Sequence, residues 1–304
     1  MNSIEVRNIA KSYGDITAVR DVSLRIRSGE LFGLIGPDGA GKTTLFRILT
    51  TLLLADKGDA KVCGMDVRKD WQEIRRISGY MPGRFSLYQD LSVEENLQFF
   101  ATVFKTKIED NYELIRDIYV QLEPFAKRRA GKLSGGMKQK LALCCALIHR
   151  PRVLFLDEPT TGVDPVSRKE FWDILFRIKE QGITILVSTP YMDEASRCDR
   201  IALMRDGVCL RMDTPDAICA SFPHKLWSVC ATDMYRLLLD IRSFEGTYSC
   251  HAFGDQHHVI FKDEAQDTAM LMAYLVSKGH REIQIKPLQP AVEDVFMNYR
   301  EDEL

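Results

Sequence analysis

No stretch of this sequence stays apolar for the roughly 18 to 20 residues that a helix needs to cross a bilayer. The nearest approach, around Leu141 to Ile148, is far shorter, so the chain is not expected to span a membrane alone. Nor does the amino terminus carry a basic segment followed by an apolar one. Met1 to Ala10 mixes Glu5 and Arg7 with isolated aliphatics, and the expectation is a chain without a secretory leader that stays in the cytoplasm. Charge of one sign is also lacking: 41 Lys and Arg stand against 43 Asp and Glu, a net charge of -2. That balance offers no basic footprint for neutralising phosphates, and nucleic acid is not expected as a partner. No CxxC pair and no zinc-type Cys/His spacing occurs among the eight cysteines, which are scattered from Cys63 to Cys250. They read as small buried hydrophobes in a reducing compartment. The terminal Glu301-Asp302-Glu303-Leu304 looks like a luminal retention address but has no leader to act with, and reads as a solvated tail.

What is present is an ordinary globular composition, 45% hydrophobic over 304 residues, a length that suggests about two domains. Apolar and polar residues alternate from Ile4 to Leu31 around turns at Gly14-Asp15 and Ser28-Gly29, which predicts short antiparallel strands. A continuous apolar strand, Leu31 to Ile35, then runs into Gly36-Pro37-Asp38-Gly39-Ala40-Gly41-Lys42-Thr43-Thr44 and a helical pattern at Leu45, Ile48, Leu49 and Leu52. Residues 92–148 read as a helical insert, opened by a capping box of Ser92 with Glu95. Val153 to Leu156 and Ile183 to Val187 read as buried strands joined by a helix, a pattern that implies a mostly parallel sheet. The pattern resets near residue 221. From there strand (Lys225 to Ala231), helix (Met234 to Ile241), hairpin (Tyr248 to Ala252 and His258 to Phe261), helix (Ala265 to Val276) and strand (Glu282 to Ile285) follow one another. That β-α-β-β-α-β order predicts a ferredoxin-like α+β domain over 221–304, closed by a helix near Ala291 to Tyr299. Histidines 251, 257 and 258 in its hairpin have no ligand-spaced partner and are expected at the surface.

Gly36 to Thr43 matches G-x-x-x-x-G-K-[ST], and it lies between a buried strand and a helix start, as that motif requires. Backbone N-H groups freed by the glycines can turn toward phosphates at the helix amino terminus. Lys42 is then expected to reach the β- and γ-phosphates of ATP, and Thr43 to hold Mg²⁺ through its hydroxyl. The apolar run Val153 to Leu156 ends in Asp157 and Glu158. Asp157 is expected to orient the Mg²⁺, and Glu158 to polarise the water that attacks the γ-phosphate.

Just ahead of those carboxylates stands Leu133-Ser134-Gly135-Gly136-Met137. With it, residues 3–220 resemble the ATP-binding cassette (ABC) subunit of ABC transporters, carrying Walker A, signature, Walker B and D-loop in the family's order. The resemblance implies an α/β P-loop NTPase over residues 1–220, built from an antiparallel β subdomain, a parallel core sheet and the helical insert. It also implies ATP and Mg²⁺ as cofactors, and a head-to-tail dimer in which Ser134 and the amides of Gly135 and Gly136 complete the partner cassette's γ-phosphate site. Asp164 matches the D-loop at that interface. Tyr13 lies where the family stacks an aromatic on adenine, with a turn tyrosine packed on the core as the alternative. Asp38 stands where many relatives have Asn, and its charge should point away from the phosphates.

Two departures are as informative as the matches. Gly83, in Gly79-Tyr80-Met81-Pro82-Gly83, takes the place of the family's Q-loop glutamine, and Pro190 that of its switch histidine. Proline offers neither an N-H nor a side-chain donor. Gln89 is a candidate displaced glutamine or a plain loop residue. Met192-Asp193-Glu194-Ala195 and Val292-Glu293-Asp294-Val295-Phe296 are similar to multidrug and antibiotic exporter ATPases, whose membrane permease subunits are separate chains. The expectation is therefore an exporter ATPase, peripheral on the cytoplasmic face of the inner membrane, working as a homodimer or, given the degenerate site, a heterodimer. In such a chain Phe85 to Asn96 would receive the permease, through exposed apolars at Phe85, Leu87 and Tyr88 or else with these packed under the insert. A soluble non-transport ABC ATPase and a nucleotide-gated regulatory subunit with little hydrolysis are the alternatives.

Overall fold

The alternation over the first 27 residues produces two long strands instead of several short ones. β1 (Asn2–Tyr13) and β2 (Ile16–Arg27) pair antiparallel across the Gly14-Asp15 turn. Register shifts between Val6 and Ser12 let the ribbon bend while staying paired, so polar positions that read as breaks remain inside the strands. The structure is a computed structural model and describes residues 1–263 and 267–299.

β3 (Leu31–Ile35) is buried at every position and feeds the glycine-rich loop and α1 (Lys42–Leu49). β4 (Lys57–Val62) and β5 (Met65–Asp66) join the first ribbon in an antiparallel sheet ordered β2-β1-β4-β5. α2 (Trp71–Ile77) then leads into β6 (Ser78–Met81). In the insert, α3 (Val93–Val103) opens on the expected capping box. Ser92 Oγ accepts from Glu95 N at 3.1 Å, and Glu95 accepts from Ser92 N at 2.7 Å. α4 (Tyr112–Tyr119) and α5 (Gly135–Leu147) complete it. Most of the apolar run noted above is the buried carboxy-terminal half of α5.

β7 (Val153–Asp157), α6 (Pro165–Glu180), β8 (Thr184–Thr189), β9 (Arg200–Arg205) and β10 (Val208–Asp213) follow. Six strands form the second sheet in the order β10-β9-β3-β8-β7-β6, parallel except at β10. The carboxy ends of β3, β7 and β8 therefore open on the same edge, where α/β sheets place their ligands. Phe46 of α1 meets Phe155 of β7 edge-on with ring centres 6.2 Å apart, which fixes the helix after the glycine-rich loop to the strand that ends in Asp157.

The chain divides into two compact units, Met1–Pro215 and Asp216–Leu304, with α7 (Pro215–Ala220) at the division. The second unit contains β11 (Leu226–Cys230), α8 (Met234–Ser243), β12 (Thr247–Phe253), β13 (Gln256–Phe261), α9 (Asp267–Ser277), β14 (Gln284–Leu288) and α10 (Val292–Asn298). Its sheet runs β12-β13-β11-β14 with every pair antiparallel, the ferredoxin-like order, over a core of Val229, Leu237, Ile241, Val259, Leu271 and Leu275. The expected helix start at Ala265 and the tail at 301–304 lie outside the described residues.

The hairpin histidines correct the expectation of a surface position. His257 and His258 are 4% and 7% exposed, because β13 lies inside the sheet and is covered on both faces. His257 Nε2 lies 2.7 Å from the Met234 carbonyl, and His258 Nδ1 lies 2.6 Å from Asp294 Oδ1 on α10. Among the described residues no helix is long and apolar enough to cross a membrane.

Candidate nucleotide site

The glycine-rich loop is tight because the chain has no room elsewhere. A Cβ on Gly36 would sit 2.2 Å from the Met204 carbonyl oxygen, and Gly41 combines a φ of +95° with an approach of 2.3 Å to the Ala18 carbonyl oxygen. Both positions need glycine, and together they hold the loop against β9 and β2. Pro37, Asp38 and Gly39 are exposed at its tip, Ala40 is buried, and Thr43 and Thr44 start the helix half-buried. Lys42 folds back into the loop. Its Nζ donates to the carbonyls of Gly36 at 2.8 Å and Pro37 at 2.9 Å and stands 3.2 Å from Glu158 Oε1.

At the end of β7, Asp157 is buried, and one oxygen, Oδ1, accepts from Thr43 Oγ1 at 3.2 Å and from Ser188 Oγ at 2.7 Å. Burial, together with the negative charge of Asp157, pushes the neighbouring Tyr80 phenol up to about 12. Glu158 has a φ of +52°, a left-handed conformation unusual for a side chain of its size. Its N-H is shared by the carbonyl of Ser188 at 3.1 Å and the Ser188 hydroxyl at 3.0 Å. Ser188 thus holds both carboxylate residues, a role the sequence reading missed. Its one signal was a serine within the buried strand β8, next to the apolar run Ile185 to Val187.

The remaining motif residues gather at the amino ends of α5 and α6. Ser134 caps α5, its Oγ accepting from Met137 N at 3.3 Å, with Leu133 buried just before it. A Cβ on Gly136 would come within 3.0 Å of Ser167 Oγ, so the glycine permits the two helix ends to meet. Asp164 caps α6 by accepting from Ser167 N at 3.0 Å, and that N-H donor holds its carboxyl below the usual range. Tyr13 is 44% exposed beside the Lys11 ammonium, so it is not packed on the core.

Gly83 is exposed, and a Cβ there would stand 3.1 Å from the Asp157 carbonyl oxygen and 3.8 Å from Glu158 Cβ. A side chain at this position would border the carboxylates, and glycine supplies none. Pro190 follows Thr189, whose carbonyl accepts from Gly36 N at 3.3 Å. Gln89 is turned to the insert, its carbonyl accepting from Gly131 N at 2.9 Å.

Beside β6 a groove of about 390 Å³ is lined by Leu52, Tyr80, Leu87, Val103, Phe104 and His149, among others. Of the two readings for Leu87, exposed or packed under the insert, its burial fits the packed one. Asn96 bonds both the N-H and the carbonyl of Tyr88, at 3.1 and 3.0 Å, a loop geometry that turns Leu87 inward and leaves Tyr88 52% exposed. Phe85 is half-buried with the Lys138 ammonium 5.5 Å from its ring centre. His149 stacks on Phe104 at 3.7 Å, and burial pushes it down to about 4.

The sequence profile of the family described as ABC transporter matches residues 19–161. "Probable multidrug ABC transporter ATP-binding protein YbhF" of Escherichia coli K12 is 43% identical over 215 residues, 70% of this chain and 37% of that protein. The chain thus aligns with little more than a third of that relative's length. "Nod factor export ATP-binding protein I" of Burkholderia lata is 38% identical over 221 residues, 72% of this chain and 73% of that one. Among solved structures, a dimeric ATP-binding cassette in a post-hydrolysis state, bound to ADP and Pi, superposes with a TM-score of 0.63. It is 26% identical and covers 69% of this chain and 98% of its own. The relatedness extends over the whole region that carries the P-loop, the signature and the paired carboxylates, and the chain belongs to the ATP-binding cassette family of transporter ATP-binding proteins.

Proposed function

We propose that this chain is the ATP-hydrolysing subunit of an ABC exporter, which binds ATP with Mg²⁺, closes on a second cassette and drives separate membrane permease subunits. The observation that carries the reading is the convergence of Lys42, Thr43, Asp157 and Glu158 where β3 and β7 end. In the reaction, water attacks the γ-phosphorus, the bond to the β-phosphate oxygen breaks, and ADP leaves. Glu158 accepts the proton of that water, and Lys42 exchanges its loop carbonyls for the β- and γ-phosphate oxygens. Thr43 Oγ1 and Asp157 Oδ1, 3.2 Å apart, form the kind of hard-oxygen pair that fits Mg²⁺. The metal would neutralise charge on the phosphates there. Ser188 keeps the Asp157 carboxylate and the Glu158 backbone in register throughout.

Gly83 and Pro190 weaken turnover without touching the residues that hold nucleotide. Ser134, Gly135 and Gly136, at the capped end of α5, would complete a partner's site, so an intact partner cassette gains more from this chain than a second copy does. That asymmetry favours a heterodimer, with slow hydrolysis as a homodimer. The groove beside β6, with Leu52 and Val103 each 56% exposed, suits an apolar segment of a permease and would hold the chain at the cytoplasmic face of the inner membrane. Export rather than import is supported by the relatives, a probable multidrug transporter protein and a Nod factor export protein. A nucleotide-gated regulatory role is the second reading, favoured by Gly83 and Pro190. Sedimentation of the Glu158→Gln chain with and without ATP tests the cassette reading: ATP-dependent dimers, or heterodimers with a partner cassette, are expected. A sedimentation profile indifferent to ATP in both mixtures would remove it.

A further inference from the structure

Glu194 has been given no role of its own above, only a place in the Met192 to Ala195 segment, yet it is 5% exposed and its carboxylate sits between two chain segments. Its Oε2 accepts from Thr160 Oγ1 at 3.1 Å and from Thr189 Oγ1 at 2.5 Å. Both hydroxyls are buried, at 1% and 0% exposure. Thr160 lies two residues beyond Glu158 and carries the turn to Asp164, its carbonyl accepting from Val163 N at 3.2 Å. Thr189 ends β8, and its carbonyl accepts from Gly36 N at 3.3 Å. One carboxylate therefore ties the strand end that touches the P-loop to the turn that leads into α6.

The cluster has a second layer. Thr189 Oγ1 also accepts from Tyr191 N at 3.0 Å, which holds the backbone on the far side of Pro190. Arg168, on the first turn of α6, approaches Glu194 Oε1 at 3.8 Å and lies 4.5 Å over the Tyr191 ring. Glu194 Oε1 is buried without a hydrogen-bond partner. A buried carboxylate oxygen left at ion-pair distance instead of being fully bonded is costly to keep. The cation that faces this oxygen is Arg168.

We infer that Glu194 is a positioning residue that couples the P-loop, through Thr189, to the Asp164 turn, through Thr160, so that nucleotide held by Lys42 is felt at the surface offered to the second cassette. The inference rests on the proposed ATP-dependent dimer. It also gives the chain a route for that signal which bypasses Pro190.

The experiment is amide hydrogen exchange of the full chain, with and without ATP, alongside the ATP dissociation constant measured by calorimetry. In the parent chain, ATP should slow exchange over 160–164 as well as over the P-loop. In Glu194→Ala, ATP affinity should stay within about threefold while the ATP-dependent slowing at 160–164 falls by about tenfold, the scale of losing hydrogen bonds to a charged group. Glu194→Gln keeps an acceptor oxygen for both threonines and should restore the response. Thr160→Val, which removes one bond only, should reproduce the loss if Glu194→Ala fails to fold. An unaltered response at 160–164 in Glu194→Ala or Thr160→Val, or a Gln variant as impaired as the Ala variant, overturns the inference while leaving ATP binding intact. No measurable ATP binding by the parent chain overturns the proposed function instead, and the inference with it.

Discussion

Lys42 and Glu158 meet at 3.2 Å inside the P-loop, with the lysine 3% exposed and the carboxylate still reachable from solvent. The ammonium that would grip phosphate is therefore held against the carboxylate that would activate water. Lys42→Ala removes three partners of one buried cation and should weaken ATP binding by about ten- to a hundredfold, the range for hydrogen bonds to charged groups. Glu158→Gln removes the base and keeps the cation, so the calorimetric dissociation constant for ATP should change by less than about threefold, with turnover lost by about a hundredfold or more.

Restoring the two missing side chains should raise turnover unequally. Pro190→His replaces a residue with no donor and should accelerate hydrolysis by about a hundredfold, the low end of what a positioned acid or base contributes. Gly83→Gln places a Cβ 3.1 Å from the Asp157 carbonyl oxygen, so β7 must give way slightly and the gain should be smaller. Phosphate release by the single and double variants checks both; a decrease in either places that residue outside the reaction.

Ser188→Ala leaves Asp157 without its shortest hydrogen bond and Glu158 N with one acceptor fewer. The expected cost is about 1.5–3 kcal/mol of stability, the scale of losing a hydrogen bond to a charged carboxylate. The Mg²⁺ concentration for half-maximal turnover should rise as well, and Ser188→Thr, which keeps the hydroxyl, should recover it. Urea unfolding and an Mg²⁺ titration separate the two effects.

His149 gives a pH test. Burial lowers it to about 4 from its ordinary 6.5, so the folded chain binds fewer protons there than the unfolded chain between those values. Its contribution is complete above pH 6.5 and is lost as pH falls toward 4, by up to about 1.4 kcal/mol per pH unit at the steepest. His149→Phe keeps the stack on Phe104 and should flatten the melting temperature across that window.

Local chemistry was readable in the sequence. The glycine-rich loop between a strand and a helix, the apolar strand that ends in Asp157 and the Ser92 capping box each involve groups a few residues apart, and the structure has each of these local elements. What escaped reading depends on partners far along the chain. Ser188 reaches Asp157 across 31 positions, Glu194 reaches Thr160 across 34, and His258 meets Asp294 across 36. A hydroxyl in an apolar strand or a histidine in a hairpin carries no sign of such a partner. Leu87 was left between exposed and packed for a related reason: the loop around Tyr88 is held by Asn96, eight residues along the chain.

The rate of ATP hydrolysis by the purified chain, alone and mixed with candidate partner cassettes, tests the central claim most directly. Slow turnover alone, rising several-fold in a mixture whose partner carries an intact glutamine and histidine, is the predicted result. Brisk turnover by the chain alone, abolished by Glu158→Gln, would contradict the degenerate-site account and return both sites to full competence.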